Sequence, residues 1–142
     1  MSRLSGSCAC GRVRYEADGD LSPIAHCHCE TCRKVHGAAF SSLAAVRRSD
    51  FRWTEGEELL SHFESSPGKI RRFCSKCGSH LAAERAQSSH VMLRLGCLDT
   101  PIVGEHIGHI WRSDGASWFD PNQLLDEYPR GYAPTEGIKA SA

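Results

Sequence analysis

HCHCETCRKVHG, residues 26–37, packs three cysteines and two histidines into the seven positions 26–32, as Cys27-His-Cys29-x-x-Cys32, and follows them with the basic pair Arg33-Lys34. Zinc bound for structure takes four protein donors, whereas zinc bound for chemistry keeps three and leaves a position free. This stretch alone supplies three thiols. Whether a fourth donor joins them decides between a structural staple and a reactive centre, and the rest of the sequence is read with that in view.

Two further clusters lie outward from it, Cys8-Ala-Cys10-Gly11 and Cys74-Ser-Lys-Cys77-Gly78, and together the three clusters hold seven of the eight cysteines. In an extended segment residues i and i+2 project to one face, so C-x-C offers two sulfurs to one ion. C-x-x-C turns tightly around a metal, and the glycine after each of the outer clusters can take the positive φ such turns favour. Clustering at ligand spacings argues against seven cysteines buried merely as small hydrophobes. A thioredoxin-like role for CSKC needs a βαβ context that the pattern lacks. Seven ligands divide as four and three. The first and third clusters, distant in sequence, would close a four-sulfur site, leaving Cys27, Cys29 and Cys32 on an open one. The competing division adds a histidine to the second cluster. His28 lies between two ligands and should point to the opposite side, and His26 and His36 sit at no compelling spacing, so spacing favours the open site. Cys97, alone in the apolar run LRLGCL, reads as a core residue.

The chain of 142 residues fits one domain with a tail, and its 17 basic and 17 acidic residues cancel formally. Thiolates on zinc would make the metallated protein mildly acidic, so global charge gives no case for nucleic-acid binding. No apolar run reaches the length needed to span a bilayer, and MSRLSGSCACG has no apolar core like that of a secretory leader. The expectation is a cytoplasmic protein, where clustered cysteines bind metal rather than form disulfides. Short strands dominate. Val13, Tyr15 and Ala17 alternate inward along RVRYEA, AAFSSLAAV reads as a buried strand, and LLSHF and KIRRF flank the turn SSPG. HLAAE, HVMLRLGCL and HIGHIW are further strand candidates. Helix signals are few: a turn over ETCRKVH closed by Gly37, and DPNQLLDEY, where Asp120, Pro121 and Gln123 make a capping pattern. We expect a mostly β domain over residues 1–125 and an extended tail over 126–142.

The segments GSCACGRVRYE, CHCETCRKVHGAAF, FRWTEG, RRFCSKCGSHL, LGCLD and HIWRSDGASW, spread over about residues 5–119, resemble the glutathione-dependent formaldehyde-activating enzyme family, which includes centromere-protein-V-type proteins. The resemblance implies a zinc-stabilised β-tent of several small antiparallel sheets with few short helices. It implies two Zn²⁺ ions, a structural one on Cys8, Cys10, Cys74 and Cys77 and a catalytic one on Cys27, Cys29 and Cys32. It also implies a carbon–sulfur lyase joining glutathione or another small thiol to formaldehyde or a related aldehyde. It departs at Cys97, where members often carry threonine, and in GEHIGHIW, where a proline is expected. Three thiolates leave a zinc site with one net negative charge, which favours thiol activation over carbonyl polarisation. Arg33 and Lys34 are the first candidates to receive the carboxylates of glutathione, then Arg71 and Arg72, although each alone reads as a solvated charge. His109 and Trp118 match the family pattern with no evident chemical role, and His62, His80, His90 and His106 read as surface or core histidines. The alternatives are a non-catalytic binding module contacting protein or chromatin, and a zinc-storage or redox-sensing protein.

Overall fold

The structure, a computed structural model, describes residues 3–132. Residues 133–142, the greater part of the expected tail, lie outside the described residues, and 126–132 form neither helix nor strand. The described chain is mostly β, with ten strands and the single α-helix α1, Glu30–His36. Strands β1 Arg3–Ser7, β2 Arg14–Asp18 and β5 Phe51–Glu55 make a three-stranded sheet in the order β1-β2-β5. The larger sheet runs β10-β3-β4-β9-β8-β7-β6. Its members are β3 Ile24–Cys27, β4 Ser41–Arg47, β6 Leu60–Ser66 and β7 Lys69–Cys74, with β8 His80–Arg85, β9 His90–Arg94 and β10 His106–Ile110. All pairings are antiparallel except β10 beside β3, which run parallel.

The register gives the two faces of the larger sheet opposite characters. Cross-strand partners share a face and neighbours along a strand alternate. Val46 pairs with Val91, and Ala44 and Ala82 both flank Leu93, so these side chains face one way. They meet Leu4, Tyr15 and Ala17 from the three-stranded sheet and Val13 just before β2, and the hydrophobic core fills the space between. Tyr15 anchors that contact, its ring packed on Phe51 and edge-on to Trp53. On the other face stand Ala45, Met92, Ala83 and Arg71 in one row, and Leu43 beside Arg94 in the next. Cys27, opposite Ser41, belongs to this outer face. Helix α1 packs over it, Cys32 reaching Arg71 and the His36 ring lying 5.1 Å from that of His80.

One expected element does not form. DPNQLLDEY has no helix. The Asp120 carboxylate accepts from the Asn122 amide at 2.9 Å and the Asp120 carbonyl from Gln123 at 3.1 Å, so the capping pattern closes a single turn. Leu124 and Leu125 are exposed, and without an apolar face to bury, the nucleus is not extended.

Candidate metal centres

Cys8 and Cys10 follow β1, and Cys74 and Cys77 follow from the end of β7. The four sulfurs all lie within 4.8 Å of one another. Cys8 Sγ is 3.5 Å from Cys10 Sγ, and Cys10 Sγ 3.8 Å from Cys74 Sγ. Both separations are far beyond the ~2.05 Å of a disulfide, and close to the ~3.8 Å edge of a tetrahedron with ~2.3 Å zinc–sulfur bonds. The loops are shaped for the task. Gly11 and Gly78 have φ of 78° and 79°, the left-handed turns expected of them. The Val13 and Lys76 amides donate to the Cys8 and Cys74 sulfurs at 3.3 and 3.4 Å. Ser79 ties the loops together, accepting from the Ala9 amide at 2.9 Å, and its hydroxyl holds the Cys77 thiol down to about 5. Half-buried Cys97 donates from sulfur to the His80 carbonyl at 3.3 Å, and burial pushes it up to about 11, so it remains a neutral thiol.

The second centre forms where β3 runs into α1. Cys27 ends the strand, Cys29 caps the helix and Cys32 lies in its first turn, bringing the three sulfurs within 4.8 Å of one another. The Cys32 amide donates to Cys29 Sγ at 3.3 Å, as N-cap geometry requires, and Gly37 at φ 57° ends the helix. No histidine joins this donor group among the described residues. His28 is fully buried and turned away, its Nε2 2.7 Å from His109 Nδ1 and its ring among Phe40 and Phe119. His26 bonds Ser42 and His106 instead. His36 Nε2 is buried without a hydrogen-bond partner among the described residues, and burial, then the Arg94 charge, holds this imidazole down to about 4. A hydrogen bond from Cys27 pulls the Cys32 thiol down to about 3 against its burial, with Ser41, Cys29 and Arg94 adding to the effect. The donor set, all soft sulfur with one already thiolate in character, suits zinc.

The cations around this centre are not those placed first by the sequence. Arg33 donates to the Asp114 carbonyl at 3.1 Å, and exposed Lys34 pairs with Glu30 at 3.2 Å. Arg72 is held by Glu84 on the opposite face from Arg71. Arg71 does reach the cluster, its Nη1 3.7 Å from Cys32 Sγ and its Nε bonded to Ser65. Beside it stands Arg94, to which the sequence assigned nothing, donating to Ser41 Oγ at 3.5 Å. Arg71 is 3% exposed and Arg94 4%, and among the described residues neither pairs with a carboxylate. A buried guanidinium without an anion is costly, so the Cys32 sulfur is the charge these arginines answer. Were a divalent ion bound by three thiolates here, the two guanidiniums would offset the one net negative charge of that group. The signal for Arg94 was its strand parity with Met92, legible only once the register is known.

A mostly β domain of two sheets, with a four-thiol cluster at the edge of its core and a three-thiol cluster over buried arginines, is a cysteine-rich protein with two donor groups that could hold metal ions. The profile of the family described as glutathione-dependent formaldehyde-activating enzyme matches residues 3–114, and the chain belongs to that family. It is 27% identical over 81 residues to a Schizosaccharomyces pombe protein named as an uncharacterized lyase, a match spanning 57% of each chain. A crystal structure of a Rhodobacter sphaeroides protein superimposes with a TM-score of 0.58 at 23% identity, over 74% of this chain and 98% of that one, a likeness of fold. No helix among the described residues is long and apolar enough to cross a membrane.

Proposed function

We propose that this protein is a zinc-dependent carbon–sulfur lyase that makes and breaks the adduct of glutathione, or a similar small thiol, with formaldehyde or a related small aldehyde. The observation that carries the reading is the Cys27–Cys29–Cys32 group, three converging sulfurs without a fourth side-chain donor among the described residues. Family membership and the relative named as a lyase support it. Zinc held by these three cysteines would supply a seat on which an incoming thiol ionises near neutral pH. Zinc held by Cys8, Cys10, Cys74 and Cys77 would be structural.

The chain's own residues supply charge and order. Arg71 and Arg94 hold negative charge beside Cys32, favouring the ionised form of a thiol brought there. In the forward direction the sulfur lone pair forms the S–C bond and the carbonyl π pair moves to oxygen. The proton lost by the thiol is returned to that oxygen through solvent, giving the hydroxymethyl thioether with atoms and charge balanced. Holding the two reactants together beside these charges would supply the larger part of what such an addition needs. Two-dimensional exchange NMR on formaldehyde, glutathione and their adduct tests the proposal. The holo protein should raise the exchange rate above the spontaneous one, and Cys32→Ala should abolish the increase. An unchanged rate with fully metallated protein would leave a binding module.

A further inference from the structure

The outer face of the larger sheet carries a line of cations leading away from the three-thiol centre. Arg71 touches Cys32, and Lys69, next on the same face of β7, lies about 7 Å along the strand from it. Lys69 is paired directly across the strands with Arg85. Like charges placed opposite each other in an antiparallel pair are destabilising unless something anionic lies between them. Neither residue has a carboxylate partner among the described residues. Lys69 is half-buried, and burial, then Arg71 and Arg94, depresses its ammonium below the ordinary lysine value.

A cavity of about 80 Å³ opens at this pair, lined by Lys69, Arg85, Ser88, His90 and Met92. That is room for a carboxylate, at ~30 Å³ per water-sized group. Glu84 also borders it, but its two oxygens are held by Arg48 at 3.0 Å and Arg72 at 2.9 Å. The face therefore presents cations without anions among the described residues, at one end to sulfur and at the other to a small cavity.

We propose that Lys69 and Arg85 form a subsite for a carboxylate of the thiol substrate, with Arg71 and Arg94 serving the sulfur end. The inference rests on the reading of the three-thiol centre as a thiol acceptor, and it selects within that class: thiols whose carboxylate lies one to two residue lengths from the sulfur, as in a short peptide, over simple neutral thiols.

The test separates the two ends. S-methylglutathione has both carboxylates and no free thiol, so calorimetry on the zinc-loaded protein reads the carboxylate seat alone. Lys69→Met should weaken its binding about tenfold and Lys69→Arg should restore it, the range expected for one charge-assisted contact. In cobalt-loaded protein the sulfur-to-cobalt absorption band reads arrival of 2-mercaptoethanol, which has no carboxylate, and Lys69→Met should leave that affinity unchanged. Arg85→Met, on the exposed rim, should repeat the loss should Lys69→Met fail to fold. Equal affinity of wild type and these variants for S-methylglutathione, or no binding to wild type at millimolar concentration, overturns the subsite. A cobalt spectrum indifferent to 2-mercaptoethanol overturns the thiol-acceptor reading instead, and the calorimetry then still decides the subsite.

Discussion

His36 shows what burial does to one residue beside the centre. Its imidazole faces Arg94, Arg71, His80 and Cys32, and burial is the chief cause that keeps it neutral down to about pH 4, against an ordinary value of 6.5. The unfolded chain takes up that proton near pH 6.5 and the folded chain only near pH 4, so between them the unfolded state binds more protons and stability falls as the pH falls. The contribution is complete above pH 6.5. After allowance for partial exposure it is about 1–2 kcal/mol. On going from about pH 7.5 to 5, wild type should therefore lose more melting temperature than His36→Gln. The cysteines are common to both proteins, so the difference isolates the imidazole, and an equal loss would exclude it. At this scale the sequence revealed the sulfurs better than the charges. Seven cysteines declare themselves by spacing, because one ion needs its donors a few ångströms apart and only short spacings guarantee that locally. Arginine carries no such mark: Arg33, next to a ligand, turns to the Asp114 carbonyl, while Arg94, sixty-two positions from Cys32, stands over the centre.

Among the elements, the turn after β5 exposes a steric constraint that composition hides. Gly56 and Gly68 share a left-handed backbone, with φ of 72° and 80°. A Cβ on Gly56 would collide with the Arg12 carbonyl, whereas one on Gly68 would meet nothing within 4 Å. Gly68→Ala should then cost about 1 kcal/mol, the backbone penalty alone. Gly56→Ala should cost at least ~2 kcal/mol more, because Arg12 is backbone in the loop that follows the Cys8–Cys10 pair and cannot yield without moving it. Urea midpoints with unchanged slope would measure both. Equal costs would mean that the loop gives way. The strands found in the sequence are those with inward alternation or a turn signal, such as β2, β6 and β7. Strands β1, β3 and β5 were missed, the first two for evident physical reasons. RLSGS presents only Leu4 and a glycine inward, the Gly6 backbone packing against the Tyr15 ring, and IAHC is four residues long and ends in a ligand. The helix expected after Asp120 had its cap but no apolar partner, and a cap stabilises a helix without supplying a reason for one.

For the molecule as a whole, the two centres are embedded differently, and removing one ligand from each should have unequal consequences. Cys8 and Cys74 are both buried and belong to the core cluster, and their centre joins the end of β1 to the end of β7. These segments are 64 positions apart along the chain, as the Cys10–Cys74 contact records. A metal there closes a long loop and couples the three-stranded sheet to the larger one, so its binding energy is folding energy. The three-thiol centre instead spans six consecutive positions on the outer face, and the core between the sheets does not pass through it. Loss of its metal would leave Arg71 and Arg94 without their full anionic complement, a local cost, with the strand order intact. Metal analysis should accordingly find two zinc ions in wild type and one in Cys32→Ala, which should remain folded with a melting temperature lowered by some degrees. Cys74→Ala should fail to accumulate as folded protein, because it removes a core side chain and the cross-link together. If Cys32→Ala unfolds as completely as Cys74→Ala, the outer centre holds the fold as well, and its assignment to chemistry fails.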